Sequence, residues 1–244
     1  MKFSIITLFP DMFSGPFGFS IIKRAKEKKL INLEIINLRD FSKDAYKSVD
    51  DRPYGGGAGM ILRVDIVDRA LQHIKSQNPK PASPAGRLNG QQTKIILLDP
   101  QGTPYKQSIA KDLATNFDHI ILICGHYEGV DARIRDLIDE EISIGDYILT
   151  GGEIPAMVLV DSVTRLLDGV LSKKEATVHE SFSDVLLEYP QYTRPQTYNG
   201  IQVPEVLKSG DPKKINIWQK KEALQKTTCK RPDLLRARSQ ITWL

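Results

Sequence analysis

Cysteine is scarce: Cys124 and Cys229 are the only two in 244 residues. Two isolated thiols in so long a chain neither staple a fold nor build a metal cluster, so a disulfide scaffold is excluded. Long apolar runs are missing too. The longest, such as Ile95 to Leu98 and Ile120 to Cys124, have strand length and fall far short of the roughly 20 residues that span a bilayer. The chain opens Met1-Lys2-Phe3 and reaches Phe9-Pro10-Asp11 almost at once, without an apolar stretch and small-residue cleavage site. A cytoplasmic, soluble protein is the expectation.

What is there is an ordinary globular composition, 41% hydrophobic and 26% charged, long enough for one large domain or two smaller ones. The net charge of +4 is mild, but its distribution is not. Lys208, Lys213, Lys214, Lys220, Lys221, Lys226, Lys230, Arg231, Arg236 and Arg238 face only Asp211, Glu222 and Asp233 at the C-terminal end, about +7 there against about −3 for the rest. A field concentrated in this way suits a module that meets a polyphosphate, and it equally suits a solvated lysine-rich helix.

Short β-type runs alternate with helical stretches. Phe3–Phe9, Leu33–Leu38, Lys94–Leu98, Ile120–Ile123 and Glu141–Ile144 read as strands; Ser20–Lys29, Val64–Ser76, Gln107–Thr115, Val130–Ile138 and Pro155–Leu167 read as helices. This alternation implies an α/β fold with a mostly parallel sheet covered on both faces, whose ligands gather at the carboxyl ends of the strands. Residues 78–92, rich in proline and glycine, read as an exposed loop. The reading divides the chain into a catalytic domain at 1–167, a linker at 168–182 and a small helical domain at 183–244, with Asp211-Pro212 as a helix start.

Four segments look chemically specialised. DDRPYGGGAGM at 50–60 has four glycines in five positions and can bend tightly against a ligand, yet it matches neither the dinucleotide fingerprint nor a P-loop. Leu98-Asp99-Pro100-Gln101-Gly102 and Cys124-Gly125-His126-Tyr127-Glu128-Gly129 each follow a strand, where turning backbone offers N–H and C=O groups to a nucleoside. Ser143 to Glu153 ends another strand and leads into the helix that carries Arg165.

Together with SIITLFPDMF at 4–13, CGHYEGVDAR at 124–133, IDEEISIGDYILTGGEIPAM at 138–157, YTRP at 192–195 and KRPDLL at 230–235, these strings closely resemble the bacterial tRNA (guanine-N1)-methyltransferases, the TrmD type of the SPOUT superfamily. The resemblance covers essentially the whole chain. It implies a homodimer, a deep trefoil knot in the N-terminal domain, and methylation of the guanine at position 37, immediately 3′ of the anticodon of tRNA. It implies that S-adenosylmethionine is held, mostly by backbone, at Leu98, Asp99, Pro100, Gly125, Tyr127, Glu128, Ile144, Gly145, Tyr147, Leu149, Gly151 and Gly152. Glu128 matches a glutamate near the donor's positive groups, with a donor or a magnesium role.

Guanine N1 carries a proton at neutral pH, so transfer needs a base. The family places an aspartate there; the matching residue here is Glu180, one methylene longer, with His179 beside it as a substitute. Arg165 matches the catalytic arginine that offsets charge growing on guanine O6. Asp50, Arg52 and Tyr54 are implied to contact the guanine or the anticodon loop, and Lys220 and Lys221 the tRNA backbone. Two alternatives stay open on the sequence: a SPOUT enzyme with another RNA target, and a non-catalytic RNA-binding module.

Overall fold

The computed structural model describes residues 1–77, 92–172 and 180–241, the last five of these by backbone alone. The 78–91 stretch of the expected loop, most of the polar run 172–177 and His179 lie outside the described residues. Contacts divide the chain into two compact units, Met1–Ser172 and Lys173–Leu244.

Unit 1 runs β1 (Lys2–Thr7), α1 (Ser20–Glu27), β2 (Asn32–Asn37), a short hairpin β3 (Asp50–Asp51) and β4 (Ile61–Leu62), then α2 (Val64–Gln77) and β5 (Thr93–Pro104). It continues through α3 (Gln107–Asn116), β6 (His119–Cys124), β7 (Glu140–Ser143) and α4 (Glu153–Thr164). Five strands form one sheet in the order β2-β1-β6-β5-β7, every adjacent pair parallel.

Both faces of that sheet are covered, which is why its central strands read as unbroken apolar runs rather than alternating ones. All six residues of β6 are buried. Its Ile120, Leu122 and Cys124 join Phe3, Ile5, Ile96 and Leu98 under α1, α3 and α4, while Ile121 and Ile123 join Ile6, Ile95 and Leu97 under α2. Helix α2 presents Ile66, Val67, Ala70, Leu71 and Ile74 as one stripe, with Asp65 in its first turn and Lys75 in its last. Each buried Ile, Val or Leu among them contributes about 1.5–3 kcal/mol.

The N-terminal edge of the sheet holds a polar chain. Ser4 donates to Glu34 Oε2 at 3.1 Å and lies 2.9 Å from His119 Nε2, and Lys2 pairs with Glu34 at 2.8 Å. Burial, with Lys2 nearby, lowers the His119 pKa to about 4, against a weaker opposing pull from Glu34.

The helix expected over Val130–Ile138 is corrected. Only a 3₁₀ turn at Ala132–Asp136 forms, because Val130 is drawn into a parallel bridge with Leu62, and Asp131 N–H donates to the Leu62 carbonyl. The Asp131 side chain then accepts from Arg133 N–H and caps the short turn. Strand β5 is longer than expected and shifts register between Leu98 and Thr103, so its end bulges.

Unit 2 contains the hairpin β8 (Thr197–Tyr198) and β9 (Ile201–Gln202), the single turn α5 (Glu205–Lys208), α6 (Pro212–Lys230) and α7 (Pro232–Ile241). Asp211 accepts from Lys213 N–H and Lys214 N–H with Pro212 at the first helical position, the cap the sequence suggested. Thr227 Oγ1 accepts from Leu187 N–H, and Lys226 Nζ donates to the Glu188 carbonyl, which seats the non-helical stretch on α6.

Candidate active site

A cavity of about 410 Å³ opens where β5, β6 and β7 end. Three bends of the chain wall it: the bulge within β5 at Leu98–Gln101, the turn Gly125–Gly129 after β6, and the stretch 142–152 that leaves the end of β7. Every residue the resemblance assigned to the donor lines it, from Leu98, Asp99 and Pro100 through Gly125, Tyr127 and Glu128 to Ile144, Gly145, Tyr147, Leu149, Gly151 and Gly152. His126, Ile148, Thr150 and Pro155 line it as well. Motif reading passed over them, although His126 stands inside the CGHYEG string.

A larger cavity, about 640 Å³, lies at the opposite ends of the strands between Thr93, His119, Asp136 and Asp139. Parallel sheets collect ligands at their carboxyl ends, so size is outweighed by position and by the glycine turns of the smaller cavity.

The turns are fixed by backbone crowding. A Cβ placed on Gly152 would lie 2.6 Å from Cys124 Cα, and Gly152 N–H donates to the Gly125 carbonyl at 2.8 Å. His126 bridges Gly151 in antiparallel fashion. The end of β6 and the approach to α4 therefore touch main chain to main chain, and a side chain there would push them apart. Tyr127 adopts φ +61 with its ring against His126, a left-handed conformation that non-glycine residues hold only under constraint.

The glycine-rich arm connects β3 to β4, and its base is tied to the second turn. Glu128 N–H donates to the Met60 carbonyl and Leu62 N–H to the Gly129 carbonyl. Gly59, at φ +85, packs so closely on Glu128 that a Cβ would fall 2.7 Å from the carboxylate. Asp50 lies half-buried at the arm's root, while Arg52 and Tyr54 are exposed beyond it.

Arg165 ends α4, half-buried, with its N–H on the Asp161 carbonyl; it is not among the residues lining the cavity. Glu180 belongs to unit 2, where its carbonyl accepts from Ser183 N–H and Oγ. Lys220 and Lys221 are exposed on α6. Parts of the basic tail are engaged locally: Lys226 on the Glu188 carbonyl, Arg231 with Asp233 at 2.7 Å, Lys214 with Asp211 at 3.7 Å, and Lys208 with Glu205. Trp218 faces Tyr192, ring centres 6.4 Å apart, as a packing residue.

A sequence profile of the family described as tRNA (Guanine-1)-methyltransferase TrmD matches residues 1–237. Among curated proteins the chain is similar to the tRNA (guanine-N(1)-)-methyltransferase of Carboxydothermus hydrogenoformans, 51% identical over 239 residues, covering 98% of this chain and 88% of the relative. Those of Syntrophomonas wolfei and Dictyoglomus turgidum are 50% and 47% identical over 235 residues, each covering 96% of this chain and 90% of the relative.

Proposed function

The chain belongs to the tRNA (guanine-1)-methyltransferase family of the TrmD type, and we propose from that membership that it methylates N1 of the guanine at position 37 of tRNA. The observation that carries the reading is the single cavity formed by three successive strand-end turns, every expected donor residue among its walls. Its volume lies within the range of small-molecule sites.

S-adenosylmethionine, the donor that a methyltransferase of this family uses, supplies an electrophilic methyl on a positive sulfonium. The three turns bind and orient it through backbone N–H and C=O groups, so that positioning carries much of the barrier reduction. Glu180 takes the N1 proton of guanine as the N1 lone pair attacks the methyl carbon. The carbon–sulfur bond breaks, its electron pair stays on sulfur, and the sulfur leaves neutral. Arg165 offsets the negative charge that gathers on guanine O6 while that proton departs.

Asp50, Arg52 and Tyr54 on the arm read the extruded guanine and its loop, and Lys220 and Lys221 hold the phosphate backbone. The arm's ties to Glu128 and Gly129 support this role, because they couple whatever the arm contacts to one wall of the donor cavity. We extend the reading to a trefoil knot, a topology compatible with the close main-chain approach of Gly152 to Cys124. A homodimer is supported by Ile148, Ile154 and Val158, large apolar side chains left exposed before α4 and along its first half.

No helix among the described residues is long and apolar enough to cross a membrane; the cytoplasmic site of action proposed here rests on tRNA as the substrate. No cluster of three or more His, Cys, Asp or Glu forms a metal cage among the described residues. Glu128, on the cavity wall, is the residue that would hold a magnesium ion, which would offset negative charge there while keeping several of its waters.

A methylation assay on two tRNA transcripts, one with guanine and one with adenine beside the anticodon, tests the proposal. Mass spectrometry of the product should find 1-methylguanine at that position in the first and nothing in the second. Methyl on a ribose or at another nucleotide would move the chain to the other RNA target, and no donor binding at all would leave an RNA-binding module.

A further inference from the structure

Among the described residues Glu153 is the one buried acidic side chain, 2% exposed, at the first position of α4. Buried carboxylates cost several kcal/mol unless a positive partner offsets them. Thr7 Oγ1 donates to Glu153 Oε1 at 2.7 Å, itself accepting from Phe9 N–H. No lysine, arginine or histidine ion pair reaches Glu153 among the described residues. The α4 N-terminus offers roughly half a charge at most, so part of the negative charge stays uncompensated.

The other oxygen points towards the cavity wall. A Cβ placed on Gly151 would meet Glu153 Oε2 at 2.4 Å and His126 Nδ1 at 2.6 Å, and that buried Nδ1 has no hydrogen-bond partner. Gly151 and His126 both line the cavity, so the carboxylate stands one residue's thickness behind its surface.

We propose that the missing counter-charge is the ligand: Glu153 makes the cavity read the positive sulfonium, holding the charged methyl donor more tightly than the neutral thioether left after transfer. The inference rests on the methyltransferase reading above. The ligand's amino group carries the same charge before and after transfer, so it cancels from any comparison of the two forms. The attraction to sulfur vanishes when the methyl leaves, and the spent ligand is released by the same residue that favoured loading. Across a few ångströms of partly buried protein, one full charge changes affinity by roughly tenfold or more.

Calorimetry on the full chain with S-adenosylmethionine and with S-adenosylhomocysteine, for wild type and Glu153→Gln, is the test. The amide carbonyl of glutamine still accepts from Thr7, so the packing is kept while the charge is lost. Wild type should favour the sulfonium ligand about tenfold. The variant should bring the two affinities within about threefold, by weakening the sulfonium ligand and leaving the thioether near its wild-type value. Equal weakening of both ligands would make Glu153 a packing residue, and an unchanged ratio, or a wild type without preference, would also overturn the proposal. A wild type that binds neither ligand would remove the methyltransferase reading itself. Thr7→Ala gives an independent arm, removing the hydrogen bond and keeping the charge; its preference should equal or exceed that of wild type, and a collapsed preference would refute the charge mechanism.

Discussion

The two units of the chain are specialised by different physical means. In Met1–Ser172 the candidate site is made largely of main chain: Gly152 packs against the backbone of Cys124 and Gly125, and Tyr127 is held in a left-handed turn. In Lys173–Leu244 the candidate contacts are long side chains on the exposed surface of α6, where Lys213, Lys220, Lys221 and Lys230 surround few buried groups. The first kind of site fails by shape, since close-packed backbone has nowhere to move. The second fails by charge and responds to salt, since exposed cations act through a screened field.

Glu180 belongs to unit 2 yet is assigned chemistry, and it offers the sharpest way to break the contrast. Glu180→Gln is expected to lower turnover by roughly 10² to 10⁴ while S-adenosylmethionine affinity stays unchanged. Near-normal turnover in a single-turnover assay would transfer the base role to His179.

Acid titration probes unit 1 away from its cavity. The folded His119 pKa, about 4, lies below the ordinary 6.5, so the unfolded chain takes up that proton first as pH falls. The stability this neutral histidine contributes is complete above about pH 6.5 and is lost as pH drops through about 4, a change of roughly 3 kcal/mol. Denaturant melts of wild type and His119→Gln over that window should differ in slope, and identical slopes would contradict the assignment.

Gly152→Ala tests failure by shape. The added methyl meets Cys124 Cα, and the expected cost is about 1–3 kcal/mol of stability, with donor affinity falling at every salt concentration. An affinity loss that salt relieves would blur the distinction between the units. The smallest effect is the converse: reversing the charge of Lys220 and Lys221 should reduce the salt dependence of tRNA binding by roughly one to two units of slope and leave donor affinity alone.

Much of unit 1 was legible because buried parallel strands leave short apolar runs and their turns leave glycines. The runs at Phe3, Leu33 and Ile120 fall on β1, β2 and β6 within two residues, and the run at Lys94 opens β5, which continues to Pro104. The helix expected at Val130–Ile138 failed because a long-range bridge to Leu62 overrode local periodicity. The hairpins β3–β4 and β8–β9 have two residues per strand, too few to leave a pattern. The residues proposed for the donor came from string resemblance rather than spacing, since a backbone contact puts little constraint on side-chain identity. Glu153 escaped notice because an acid in the first turn of a helix looks ordinary until burial is known.

Amide hydrogen exchange of the full chain, with and without S-adenosylmethionine, tests the central claim most directly. Slowed exchange is expected at residues 98–101, 125–129 and 144–152, with helix α6 unaffected. Protection that appears elsewhere, or nowhere, would contradict a donor site built from the three strand-end turns.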